Sequence, residues 1–245
     1  MPDMSVLGTV PVAAWCPSLD TAGNGTQTLT DLSGNGNNGT LTLMDAATDW
    51  VADTGAGGVR ALTFDGVNDE VQLASPITFT NDGTVAFWFR RGSGSNQALG
   101  AGGSYGEGYW FNISGNDVVQ NWGNQYVTFS GEGANYAVGS WNHVTLVRSG
   151  SNYLIYRNGS LADTVVGAAN PGTLRGFGRL YYGAGTFANL NGQLDDIRIF
   201  NTALTTEGIA YLYNSGNGRG VQPAVVSAHP FHPLQRGSTH PLRYT

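Results

Sequence analysis

Apolar residues in this chain come in short runs of alternating character, separated by Gly, Asn, Asp and Ser at the spacing expected of antiparallel strands. Side chains on a strand alternate with period two, so in "TVAFWFRR" Val85, Phe87 and Phe89 share one face and Ala86, Trp88 and Arg90 the other. One of these faces is expected to be core. "NHVTLVRSGSNYLIYRNGSLADTVV" reads as three strands in series, with "SGSN" as the first turn and Asn158-Gly159 supplying the positive φ angles of a tight hairpin. Further strands are expected in "VRALTF", "EVQLA", "GYWFNIS", "DVVQNW", "YVTFS", "RLYYGA" and "LDDIRIF". One helix is expected, in "ALTTEGIAYLYNSG", with Thr205 or Thr206 as its cap, Ile209 and Leu212 towards the sheet, and Asn214 to Gly216 as its end.

Composition agrees with an all-β chain. Its 245 residues suit one large sandwich, and 37 glycines call for many turns. Charged residues are only 11%, Lys is absent, and the net charge is −6. Without a basic stripe to neutralise phosphates, nucleic acid is excluded as a partner. Cys16 has no second cysteine to pair with and, beside Trp15, reads as a small buried hydrophobe. The N-terminus has neither a basic leader nor a continuous apolar run, so neither a signal peptide nor membrane insertion is expected.

The expected organisation is an N-terminal extension over residues 1–7, a β-sandwich over 8–218 and a separate arm over 219–245. The arm holds four of the nine prolines, three of the four histidines and no carboxylate. Proline removes a backbone donor and favours extended geometry. Phe231, Leu234, Arg236, Leu242, Arg243 and Tyr244 give the arm apolar and basic contacts of the kind that dock on another protein subunit, whereas chains that stay disordered are poorer in apolar residues.

Five segments, in order, resemble the laminin-G-like jelly rolls of the concanavalin A-like lectin/glucanase superfamily, in their bacterial and phage form. They are "DLSGNGNNGTL", "ALTFDGVNDEVQL", "TVAFWFR", "WNHVTLVRSGSNYLIYRNGSL" and "NGQLDDIRIFNTALTTEGIAYLYN". The resemblance runs over roughly residues 8 to 216 and implies an antiparallel two-sheet jelly-roll sandwich with one short C-terminal helix.

It also implies a structural calcium, held by Asp31 of the early loop and Asp195 of the closing strand, with Asn35, Asn37 and loop carbonyls completing the oxygen shell. The residues alone allow a second reading, in which Asp31 caps a turn and the Asn-Gly steps are ordinary turn chemistry. Asp65 and Asp69 in "FDGVNDE" read as turn residues, and Glu70, where the family often has an aromatic, as a surface substitution or an extra ligand.

Catalysis is not expected. The Glu-x-Asp-x-x-Glu strand of the related glucanases is missing, and Glu70, Glu107, Glu132 and Glu207 fall in no such pattern. Asp195 and Asp196, as strand neighbours, point to opposite faces. His143 in "WNHV" reads as a packed strand residue rather than a base.

Two functions remain. The first is a secreted, calcium-dependent, lectin-like module with Trp122, Asn124 and Tyr136 as exposed glycan contacts. The second is a surface or structural component of a larger assembly, of phage decoration, capsid-associated or tail-associated type, docked through its arm and located on a virion or extracellular surface. The two are compatible, since a particle-surface jelly roll can also bind cell-surface glycans, and the second is the preferred expectation.

Overall fold

The computed structural model describes residues 7–52, 58–79, 82–94, 96–100, 109–122, 125–168, 172–182 and 186–218. Eighteen strands, all paired antiparallel, lie among them. The first six are β1 (Ala13–Trp15), β2 (Thr28–Leu29), β3 (Gly39–Thr42), β4 (Trp50–Val51), β5 (Ala61–Asp65) and β6 (Glu70–Phe79). Then follow β7 (Gly83–Arg91), β8 (Asn96–Leu99), β9 (Tyr109–Ser114), β10 (Asp117–Trp122), β11 (Gln125–Phe129) and β12 (Trp141–Ser149). The last are β13 (Asn152–Arg157), β14 (Ser160–Val166), β15 (Gly172–Phe177), β16 (Arg179–Tyr182), β17 (Thr186–Asn189) and β18 (Asn191–Phe200), before helix α1 (Thr206–Tyr213).

The large sheet has the order β14-β13-β12-β7-β18-β5-β4, with β1 also paired to β18. The facing layer is built from two four-stranded sheets, β11-β10-β9-β8 and β15-β6-β3-β2, with β15 lying beside β9 and β10 and the β16–β17 hairpin beside β8. The architecture is the expected antiparallel sandwich.

The alternation on β7 has a consequence on both of its faces. Val85, Phe87 and Phe89 enter the core between the layers, where Phe87 meets Phe111 edge to face at 5.6 Å between centroids. Ala86 is buried on the other side, in a second cluster with Val147, Tyr156 and Phe200 that Leu204, Ile209 and Leu212 cover. Both faces of the central strands are therefore core, and α1 is the lid of the outer one. Thr205 is its cap, accepting from the Gly208 N–H at 3.2 Å, and Asn214 ends it in the left-handed region at φ 51°.

The Asn158-Gly159 hairpin forms as expected, with φ of 52° and 78° and Arg157 paired to Ser160. Asn158 also ties the hairpin to β12, since its Oδ1 accepts from the His143 N–H and its Nδ2 donates to Asn142 Oδ1. A Cβ at Gly159 would stand 2.8 Å from the Tyr213 ring, so close approach as well as φ requires glycine there.

Cys16 is buried, as its sequence context suggests, and burial with Asp196 and Asp195 nearby pushes its thiol well up. Among the described residues no helix is long and apolar enough to cross a membrane.

His143 lies on the outer face of β12 against Trp88 at 5.4 Å and Tyr213 at 6.0 Å. Burial, reinforced by Arg198, pulls its pKa down to about 3. An unfolded chain protonates this ring near pH 6.5 and the folded one does not, so its share of stability is present at neutral pH and lost as pH falls from 6.5 towards 3. Urea denaturation should show a smaller loss between pH 7 and pH 4 in His143→Phe than in the wild type, by roughly 1–3 kcal/mol. Equal losses would mean that the ring is solvated.

Candidate ligand-binding site

Residues 31–38 fold around a carboxylate. Asp31 Oδ1 accepts from the Ala14 and Ser33 N–H groups at 2.9 Å each, and Oδ2 from the Ser33 hydroxyl and the Asn37 N–H at the same distance. Burial opposes its ionisation, but these hydrogen bonds outweigh it and hold the carboxyl below its usual value. Asn35 and Asn37 turn their Nδ2 groups to the Val12 carbonyl, at 3.0 Å each, and the Trp15 indole donates to the Asn37 carbonyl at 2.8 Å. The polar loop is thus a clasp on β1.

That geometry does not fit calcium. Every Asp31 oxygen is already met by protein donors, both amides present nitrogen rather than oxygen, and the Asn37 carbonyl is taken. Asp195 belongs to a different environment. It is buried, its Oδ1 accepts from the Asp196 N–H at 2.7 Å and lies 3.7 Å from Cys16 Sγ, and its Oδ2 is buried without a partner. Burial and then the Asp196 charge push its pKa well up. No group of three or more His, Cys, Asp or Glu able to hold a metal occurs among the described residues.

Strand alternation does not describe Asp195 and Asp196. β18 bulges between Asp195 and Arg198 relative to β7, Asp196 sits at φ 46°, and both carboxylates are buried, with Asp196 paired to Arg198 at 2.6 Å. In the turn after β5, Asp69 Oδ2 accepts from the Asp65 N–H at 2.8 Å, and Asp65 Oδ1 accepts from the Val67 N–H at 2.7 Å, so both are turn residues. Burial, aided by Asp65 and Asp49, pushes Asp69 up to about 6. Glu70 is buried and is not a surface substitution.

The aromatic glycan contacts expected at Trp122 and Tyr136 are corrected by the structure. Trp122 is 0% exposed, 4.7 Å from Phe79 and 6.3 Å from Tyr153 between ring centroids, with the Arg148 guanidinium 5.8 Å over its ring. The inward set of β10 is Val118, Gln120 and Trp122, so its terminal indole closes the core. Tyr136, 1% exposed, packs on Phe89 and Phe111 at 6.3 Å each. Asn124 lies outside the described residues, as do Phe231, Leu234, Arg236, Leu242, Arg243 and Tyr244.

What the structure does assemble is a groove of about 280 Å³ at one end of the large sheet. Arg90 at the end of β7 stands opposite Gln193 of β18, which stands opposite Thr63 of β5; cross-strand partners share a face, so the three form one row. Half-buried Trp141 of β12 is the next member of that row, on the far side of Arg90.

The arginines are held in place. Arg90 donates to the Gly139 carbonyl at 3.0 Å and to Gln193 Oε1 at 3.2 Å, while Arg91 donates to the Tyr136 carbonyl at 3.3 Å and the Gly94 carbonyl at 3.0 Å. Asn191, Val138 and the backbone of Gly92, Gly139 and Gly192 complete the walls. A Cβ at Gly92 would lie 2.4 Å from Asn191 Oδ1, and one at Gly192 2.3 Å from the Arg90 carbonyl, so the close approach of these segments depends on glycine. The groove draws on four separate segments of sequence, and the Arg-Arg pair ending an aromatic strand is its one local signal.

Residues 64–210, more than half of the chain, match the Laminin_G_3 model of the concanavalin A-like lectin/glucanases superfamily, and the chain belongs to that family. No curated protein sequence matches it. Among solved structures it is similar to the receptor-binding domain of botulinum neurotoxin C/D mosaic serotype, with 14% identity, TM-score 0.57 and coverage of 83% of this chain and 51% of that one. It is also similar to botulinum neurotoxin type C, whose cell entry depends on two ganglioside molecules (17%, 0.58, 87% and 53%), and to the binding domain of Paraclostridial Mosquitocidal Protein 1 (17%, 0.55, 84% and 52%). The chain spans about half the length of these neighbours.

Asp31→Ala strands the Ala14 and Asn37 N–H groups and should lower stability by about 2–4 kcal/mol. Excess chelator or calcium should leave the thermal midpoint of the wild type unchanged. A calcium-dependent rise of several degrees would contradict the clasp as described.

Proposed function

We propose that this chain is a non-catalytic recognition module that binds a cell-surface glycan and serves as a surface or structural component of a larger assembly. The observation that carries the reading is the groove, an open depression lined by Thr63, Arg90, Arg91, Asn191 and Gln193 beside the glycine backbone of residues 92, 139 and 192. Sugar recognition needs those groups, donors and acceptors fixed before the ligand arrives and room for a ring to approach the main chain.

The similar solved domains point to the same class of function. Botulinum neurotoxin type C engages gangliosides, a serotype D domain has been solved with N-acetylneuraminic acid, and a serotype DC domain with rat synaptotagmin II. They share the fold with this chain over only about half their length, so they support receptor recognition as a class and not a particular ligand.

Two facts favour binding over hydrolysis. No carboxylate lines the groove among the described residues, whereas glycosidases of the retaining type need two about 5 Å apart. Asp195 and Asp196, the adjacent pair, are buried away from solvent.

The assembly part of the reading rests on residues 219–245, whose prolines, arginines and apolar side chains suit an extended arm bound along a neighbouring subunit, as in a phage particle. The full chain on a glycan array should bind a restricted set of glycans, with or without chelator; binding to none would remove the recognition role. Light scattering of the full chain and of a version ending at Gly220 should give large species for the full chain alone. Two monomers would remove the arm as a self-assembly element.

A further inference from the structure

We propose that the outer edge of β14 is the seat for residues 224–229 of a neighbouring copy, which add to the large sheet as one further strand. This inference rests on the reading of residues 219–245 as an assembly arm and names the surface that receives it.

The first argument is the open edge. β14 ends the large sheet, and among the described residues its one ladder partner is β13. β11 of the facing layer comes near it, yet five of its seven residues are exposed, so the edge meets solvent. The Gly167 N–H donates to the Ser151 carbonyl on the β13 side, and an antiparallel ladder alternates, so Val166 and Thr164 turn their backbone groups outward. The Thr164 N–H agrees with this, since it is met by the Asp163 carboxylate at 2.7 Å rather than by β13. Leu161 faces outward from the core opposite Tyr156, and Val165 packs against the core, which leaves Val166 on the outer face. Leu161 is 52% and Val166 73% exposed, an apolar dressing unusual for a strand edge that stays unpaired.

The second argument selects the occupant. In-register pairing of two β14 strands about a two-fold axis would set Asp163 beside its mate, and like charges so placed repel. Residues 219–245 instead carry three arginines and no carboxylate. Proline lacks the donor that a ladder needs, and the longest run of the arm without proline or glycine is Ala224-Val225-Val226-Ser227-Ala228-His229, between Pro223 and Pro230. Six residues extend over about 20 Å, close to the roughly 23 Å of a seven-residue strand. By alternation Ala224, Val226 and Ala228 share one wholly apolar face, which matches Leu161 and Val166.

The third argument is reach. The Gly218 N–H donates to the Tyr213 carbonyl at 3.1 Å, and Tyr213 lies against Gly159 in the hairpin that opens β14. The arm therefore leaves the body beside this edge, and the six spacings from Gly218 to Ala224 cover about 20 Å, enough to cross to a copy docked at the same end. Ordering the segment costs conformational entropy, so a single seat is weak and fills as concentration rises.

The test is amide hydrogen exchange and light scattering of the full chain over a hundredfold range of concentration. The Val166 amide should become at least tenfold more protected as the large species form. Val225→Pro with Val226→Pro, which removes the inward-facing donor in either register, should abolish both the protection and the large species. Val166→Lys, a cation at an exposed position of the seat, should weaken assembly at least tenfold with an unchanged thermal midpoint.

Large species in which the Val166 amide still exchanges freely, or which survive the double proline variant, would overturn the inference and leave the arm reading standing. Protection independent of concentration in a monomer would mean that the arm covers its own β14, which overturns the assignment to a neighbour. A monomer without protection at any concentration sinks both the seat and the arm as a self-assembly element.

Discussion

The rest of the structure depends on β12, β7 and β18 being buried on both faces. On the inner side, Phe87 and Phe89 need the rings of the facing layer, and on the outer side Ala86, Val147, Tyr156 and Phe200 need the apolar face of α1. Burial of this kind supplies about 25 cal/mol per Å² of apolar surface removed from water. It also dictates the state of the polar groups on these strands. His143 stays neutral, Asp196 is tied to Arg198, and Arg148 lies over the Trp122 ring. Charges left unpaired in such a place would cost several kcal/mol each.

Much of this was legible in the sequence. β7 and the β12–β13–β14 meander are strong in β-branched and aromatic residues and end in recognisable turns, and the Asn158-Gly159 hairpin follows from chemistry confined to two residues. Helix α1 was legible through its cap and its two inward residues. The strands that were not expected, β1 to β4, β8, β15 and β17, are mostly two to four residues long, and β15 carries glycines at 172 and 176. Such segments become strands through their partners rather than through local preference.

The site was less legible, for two physical reasons. Period-two alternation says which residues share a face but not which face is wet, and at Trp122 the choice falls inward because the strand ends against Phe79 and Tyr153. Alternation also presumes a regular strand, and the bulge at Asp196 removes that premise. The loop at residues 31–38 illustrates the converse. Its turn chemistry alone accounts for its composition, because Asp31 finds its donors within the loop and on β1. The groove needs residues 63, 90–92, 138–139 and 191–193 together, a neighbourhood that only the sheet order creates.

The groove lies at the end of the large sheet, where Arg90 is tied to the Gly139 carbonyl and to Gln193, and polar groups positioned in advance let a small set of contacts discriminate between ligands. The central claim is that recognition happens there. Backbone amide chemical-shift mapping of the isotope-labelled full chain, titrated with the glycan that binds it most tightly, tests this directly. The account predicts a contiguous set of shifted amides at Gly92, Gly139 and Asn191 to Gln193. Shifts confined to another face of the sandwich, with these amides unmoved, would contradict it.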